Sequence, residues 1–289
     1  MLSDAAAVLI RDVFGQPTLL SGSPRIQRRV TAWGTDPVVI PHGAIVVSEA
    51  ALIEALPMPA APETAAPADF IVEATRSPQL APPHRFGSRR AAAAEVRLKS
   101  AAENASCWIE ALEAGWLFLV SGAEGASWLL GVGDRLEDLL SGSRLISPLI
   151  DDMHPYPGNF DACPRLAPAL HEANWLLCGT AAIAFDPICG DGAAQAVREA
   201  ILASAVVIGM TEGGDAAQLK SHYQSMLIAA MRRHLKLCAD FYRSGGEGAW
   251  WDAELRALID GHDWCTEQLA SAPEPRYQLN GLRLVAREE

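Results

Sequence analysis

The residues with the most chemical potential in this chain lie between Trp175 and Gln195. There Trp175-Leu176-Leu177-Cys178 is followed by Gly179-Thr180, then Asp186-Pro187, then Gly190-Asp191-Gly192-Ala193. Glycine at 190 and 192 lets the backbone turn tightly and come close to a ligand. The free amides of a helix entered at Ala193 face that ligand with the positive end of the helix dipole. Such an entry attracts anionic groups: phosphate oxygens fit, and so does the N1–C2 carbonyl edge of a reduced flavin, which carries negative charge. Gly-x-Gly-x-x-Gln lacks the third glycine of the dinucleotide fingerprint, and a glycine-bearing helix entry that binds nothing stays open as the alternative.

Other constellations are thinner. Asp151, Asp152 and His154, with His171 further on, could ligate a metal, but a Pro-rich turn without a partner motif reads as a solvated loop. Six cysteines (107, 163, 178, 189, 238 and 265) form no C-x-x-C pair and read as buried, reduced thiols. No Gly-x-Ser-x-Gly elbow is present for acyl transfer. Tyr242, Trp250, Trp251 and Trp264 could wall a substrate or simply fill a core. His222 and His234 are read as lying on nearly one face of a long helix. Lys220, Arg232, Arg233 and Lys236 flank them, a basic cluster that suits either solvent or an acidic partner.

These residues need elements to position them. Ser3 as N-cap and Gly15 past the end predict a first helix with Val8, Leu9, Val13 and Phe14 on its apolar face. Alternation from Ile26 to Ala32, then Val38–Ile40 and Ile45–Val47, predicts strands, and 49–56 a helix. Residues 57–67 hold four prolines and are expected to be a linker. A short strand is expected over 70–75, and another from position 95 onward. Three apolar runs, 107–112, 116–120 and 128–132, with short Gly-rich gaps predict an antiparallel meander. A turn-rich stretch, 148–168, leads to the buried strand at 174–178. Helices over 193–210, 216–243 and 248–270 and a terminal strand over 276–286 complete an α/β chain with α+β character. The expected division is 1–56, the 57–67 linker, and a main domain over 68–289.

The strand, Gly-x-Ala-Ala, Asp-Pro, x-x-Gly-x-Gly and long helix order over 175–195 resembles the second flavin-contacting motif of aromatic-hydroxylase-type FAD-dependent monooxygenases. It is most similar to their tryptophan-halogenase-like branch, which includes flavoproteins that mature protein-derived quinone cofactors. Ile71–Thr75 resembles the strand before the family's Asp-Ala-Thr-Gly turn. Ala114–Val120 resembles the Gly-Trp strand of its substrate-facing sheet, and Thr31–Gly34 a strand of its N-terminal half. Asp240–Arg243 through Trp251 is similar to its C-terminal helices. The resemblance implies a truncated FAD/NAD(P)-binding-like fold with an antiparallel substrate-type sheet and long C-terminal helices. It implies FAD or another flavin as cofactor, held at Gly179, Thr180, Asp186, Pro187, Gly190, Asp191, Gly192 and Ala193. Trp116 and Trp128 would face substrate, and no catalytic residue is assigned. The chain departs from the family where the ADP half is bound: no Gly-x-Gly-x-x-Gly occurs, and Gly131-Val132-Gly133-Asp134-Arg135-Leu136 is the nearest approach. Gly179-Thr180 replaces a Gly-Asp carboxylate, Glu73-Ala74-Thr75-Arg76 replaces the glycine turn, and Trp-x-Trp-x-Ile-Pro is missing. A flavin oxidoreductase with a degenerate cofactor site is therefore expected. The alternatives are a non-catalytic binding or partner protein of the same descent, or one subunit of a split flavoenzyme.

Composition narrows the partners. The 289 residues are 50% hydrophobic and 20% charged, which excludes intrinsic disorder. A net charge of −12 without any basic cluster of nucleic-acid type leaves small molecules or another protein, with neither nucleic acid nor membrane. No basic leader opens the sequence and the longest apolar run, 200–210, is short, so a cytoplasmic protein is expected.

Overall fold

A computed structural model of the chain describes residues 1–57, 69–77, 79–100, 105–122, 127–190 and 192–287. In chain order the elements begin β1 (Leu2–Ser3), α1 (Asp4–Phe14), β2 (Arg25–Ala32), β3 (Val38–Ile45), α2 (Glu49–Ala55), β4 (Ile71–Glu73) and β5 (His84–Arg85). There follow β6 (Arg90–Leu98), β7 (Ser106–Leu112), β8 (Gly115–Ser121), β9 (Ser127–Gly133), α3 (Leu136–Gly142), β10 (Ile150–Pro155), β11 (Phe160–Asp161) and β12 (Arg165–Leu166). The last are β13 (Trp175–Leu177), α4 (Gly179–Ala182), β14 (Ile183–Ala184), α5 (Gly192–Thr211), α6 (Ala216–Gly245), α7 (Ala249–Ser271), β15 (Tyr277–Asn280) and β16 (Arg283–Ala286). Two compact units emerge, one of Met1–Pro59, Gly87–Cys163 and Ala239–Ala257, the other of Ala60–Phe86, Pro164–Cys238 and Leu258–Glu289. Positions 58–67 of the expected linker lie outside the described residues.

The first unit is built on a large mixed sheet in the order β1-β3-β2-β7-β8-β9-β6-β10, with β11 also on β6. The meander expected from the Gly-rich gaps is β7-β8-β9, antiparallel and in register from Cys107↔Val120 to Ser121↔Ser127. One face carries the core: Ala94, Val96, Trp108, Leu117, Leu119 and Leu129 meet Leu136 and Leu139 of α3, and Ile146. Each large apolar side chain so buried contributes about 1.5–3 kcal/mol. β6 starts at Arg90, earlier than position 95. Its alanines favour helix in isolation, but pairing from Ala91↔Val132 to Val96↔Ser127 overrides that preference. The run at 38–40 and Ile45 belong to one strand, β3, which pairs with β2, while Val46 and Val47 of the second expected strand lie beyond its end.

Helix α1 starts where Ser3 Oγ accepts from the Ala6 amide, as the cap predicts, although the strand pair Leu2↔Ile45 precedes it. Its buried face is Ala6, Ala7 and Ile10, whereas Val8 and Val13 are exposed, a correction to the predicted face. Small alanines let the helix lie close to its support, and that wins over side-chain size. Past α3, the buried Glu110 carboxylate accepts from Ser143 Oγ (2.5 Å) and from the amides of Arg144 (2.8 Å), Leu145 (3.0 Å) and Ile146 (3.1 Å).

The second unit contains the parallel pair β4·β13, the three-stranded sheet β14-β12-β5 and the hairpin β15·β16. It also takes in α4, α5 and parts of α6 and α7. The stretch 148–168 expected to be turns holds β10, β11 and β12, and the terminal strand is two strands reversing between Asn280 and Arg283. Helix α5 is long and apolar enough, by length and composition, to cross a membrane, which the run at 200–210 alone is not. It buries Ala194, Glu199, Leu202, Ala203, Ala205 and Val206 within the protein.

Candidate functional site

The described residues of 175–195 lie in the second unit. β13 lies parallel to β4 in the register Trp175↔Ile71 to Leu177↔Glu73. The contact continues past the strand ends, where the Cys178 amide donates to Glu73 O (2.8 Å) and the Ala181 amide to Ala74 O (3.2 Å). Gly179 adopts φ 52°, and a Cβ there would sit 3.0 Å from Ala74 O, so this close approach requires glycine. Thr180 Oγ1 donates to the same carbonyl (3.4 Å).

Asp186 is buried, and its carboxylate caps the short 3-10 turn Pro187–Cys189 by accepting from the Ile188 amide (2.9 Å). The Asp186 amide donates to Nε2 of His234 (2.8 Å), whose ring stacks on Phe185 with centroids 4.1 Å apart. Gly190, at φ 62°, closes the turn by donating to Pro187 O (3.0 Å). A Cβ on Gly190 or Gly192 would meet no atom within 4 Å. Packing therefore does not explain glycine at 192, and the backbone at the start of α5 is open on that side. The first-turn amides of a 20-residue helix have no intrahelical acceptor and can receive an anionic edge there. Ala193 follows in that first turn, and Asp191 lies outside the described residues.

One residue of this site lay outside the motifs read from the sequence. Glu199, two turns into α5, is buried and accepts from the Gly179 amide and the Gln195 side chain. Burial pushes its carboxyl up to about 7, and its Oε2 has no hydrogen-bond partner among the described residues. Beside it, burial and then Glu199 push the Cys178 thiol up to about 11, while Tyr223 Oη donates to Leu177 O (2.7 Å). A lone acid within an apolar helix was the available clue.

In the first unit, Trp116 and Trp128 share one face of the sheet. They stand at opposite ends of it, since Trp116 pairs with Val132 and Trp128 with Val120. Four residues of strand separate those positions by about 13 Å. Trp116 is 1% exposed and its indole N–H donates to Tyr242 Oη (3.1 Å), whereas Trp128 is 42% exposed. Trp33 meets Trp116 edge-on, Trp251 meets Trp33 and Trp250 edge-on and Tyr242 at a tilt, and the buried Arg89–Glu254 ion pair (2.6 Å) lies beside Tyr242. The Arg89 guanidinium lies 4.9 Å over the Tyr242 ring. Trp264 is not part of this group; it packs on His84 and Phe86 in the second unit.

Asp151 and Asp152 stand on strand β10, where a loop was expected, and pair with Arg97 of the neighbouring strand at 2.9 and 3.4 Å. The basic helix cluster requires correction. Lys220 is buried, donating to Glu172 O (2.6 Å) and Ala173 O (2.7 Å), so it is unavailable to an acidic partner. His222 and His234 are both buried, yet twelve helical residues turn them about 120° apart. His222 meets Tyr277 edge-on, and His234 meets Phe185.

No protein-family model matches the sequence, and no curated protein does. Solved structures do match. A peptidyl tryptophan dihydroxylase, QhpG, described as essential for tryptophylquinone cofactor biogenesis, is 18% identical with a TM-score of 0.70, over 88% of this chain and 69% of its own. The myxobacterial chondrochloren halogenase CndH, described as a variant of FAD-dependent halogenases, is 14% identical with a TM-score of 0.71, over 98% of this chain and 84% of its own. The chain has the flavin-dependent halogenase fold. CmlS, a flavin-dependent halogenase, shares that fold at 14% identity and a TM-score of 0.67, over 93% of this chain and 64% of its own. Within the halogenase fold the large mixed sheet and the long helices are thus accounted for, as the motif at 175–195 led one to expect.

Proposed function

We propose that this chain is a flavin-dependent oxidoreductase of the monooxygenase and halogenase class whose cofactor site is reduced to its ring-binding half. The observation that carries the reading is the glycine turn at Gly190 and Gly192 ahead of α5, where an added Cβ would meet no atom of another described residue beyond its chain neighbours within 4 Å. The residues fit the ring half of the group: amides at Gly192 and Ala193 would hold its anionic N1–C2 edge, and Gly190 would let it approach. A bound flavin supplies the oxygen activation, and the protein supplies position and electrostatics. Asp186 holds the turn in shape from inside, because its carboxylate is spent on the Ile188 amide. Gly179 and Thr180 bring the strand end against Ala74. For the ADP half the residues do not fit, since no Gly-x-Gly-x-x-Gly is present and Thr180 offers a neutral hydroxyl in place of a carboxylate.

A second reading, a non-catalytic binding or partner protein, is favoured by Trp116, which is buried and has its N–H already paired with Tyr242. A visible spectrum of the purified protein, before and after titration with FAD, FMN and their reduced forms, separates the two. Saturable binding, weakened by Gly192→Val, and oxidation of reduced nicotinamide on adding flavin support the enzyme. No spectral change with any flavin sinks it.

A further inference from the structure

Among the described residues one group of three soft donors converges: Cys189 from the 3-10 turn, and His234 and Cys238 one turn apart on α6. Their donor atoms all lie within 4.8 Å of one another. Cys189 Sγ is 3.7 Å from Cys238 Sγ, and Cys238 Sγ is 3.3 Å from His234 Nε2. We propose that Cys189, His234 and Cys238 bind one thiophilic d10 cation, zinc in the first place, as two thiolates and an imidazole.

The spacing suits the ion. Zinc bonds of about 2.3 Å to sulfur and about 2.0 Å to nitrogen give tetrahedral edges of about 3.8 Å between sulfurs and about 3.5 Å from sulfur to nitrogen. The separations of 3.7 and 3.3 Å fall beside those edges, so small side-chain shifts complete the triangle. Two thiolates with one imidazole select a soft or borderline ion over magnesium or calcium, which take oxygen ligands. Cys238 and His234 are buried, whereas Cys189 is half-buried, which leaves the fourth position to water from its side. Binding releases the two thiol protons to solvent. The ion also competes with one existing contact, because Nε2 of His234 now accepts from the Asp186 amide. Metal at Nε2 therefore exchanges that hydrogen bond for a bond tying the Asp186–Gly190 turn to α6 through Cys189. Nothing in this site depends on flavin being bound.

The test uses the full chain, reduced and stripped with a chelator, and titrated with cobalt(II) under argon. One equivalent of cobalt is expected to give thiolate-to-cobalt charge-transfer bands and intense tetrahedral d–d absorption, both erased by added zinc. Cys189→Ser, at a half-buried position and checked for folding by circular dichroism, is expected to lose them, and Cys265→Ser to keep them. Absent bands with all thiols reduced would overturn the site, as would bands that persist in Cys189→Ser. A Cys189–Cys238 disulfide formed in air, with no cobalt bands after its reduction, overturns it too.

Discussion

Glu199 is the residue whose environment makes the sharpest demand. Its carboxyl rises from an ordinary 4.5 to about 7 because burial disfavours the charged form, against smaller opposing bonds from Gln195 and Gly179. The folded protein then keeps a proton that the unfolded chain has lost between these values. The contribution of this group to stability is greatest below 4.5, falls as pH rises to about 7, and levels off above it, by roughly 3 kcal/mol in all. Glu199→Gln should remove that descending limb and stabilise the protein at pH 8, as read by urea unfolding from pH 5 to pH 8. An unchanged pH profile in the variant would mean that Glu199 is solvated and charged. The sequence showed an acid in an apolar helix, but which face it occupied was a property of what packed on α5.

Elements followed local rules wherever those rules had no competitor. The cap at Ser3, the helix over 49–56, the β7-β8-β9 meander and the three long helices were legible because turn chemistry and periodicity act over a few residues. β6 and α1 were misread where alanine was concerned, since a methyl group serves a helix and a tightly packed strand equally well. Glu110 shows an element fastened from a distance: a strand carboxylate gathers three consecutive amides and a hydroxyl beyond α3. Glu110→Ala would leave those donors without their acceptor and is expected to cost about 3 kcal/mol in chemical denaturation. Glu113→Ala, on the exposed turn of the same hairpin, should lie within about 0.5 kcal/mol of wild type. Equal costs for the two would remove the anchoring role of Glu110.

At the scale of the whole molecule, a halogenase fold at 14–18% identity shows how little sequence the fold retains. Binding of cofactor should reveal which half of the site remains. If only the ring is held, riboflavin, FMN and FAD should bind within about a factor of ten of one another, about 1.4 kcal/mol, in fluorescence-quenching titrations. A preference for FAD of a hundredfold or more would reveal an ADP anchor outside the motifs found. The charge of −12 makes the complementary prediction that duplex DNA is not retained even at low salt.

By itself the sequence determined where the backbone must turn, where helices start, and which glycines stand at a helix entry. Each of these depends on a residue and its neighbours within about one turn. Tertiary structure alone decided which polar groups were taken out of water and what they met there. The Asp186 amide finds His234 48 residues away, Cys189 finds Cys238 49 residues away, and Lys220 spends its charge on carbonyls of residues 172 and 173. Such meetings are set by the packing of α6 beside the 175–195 segment. No spacing rule in a linear chain encodes them, because any loop of that length can bring its ends together in many ways.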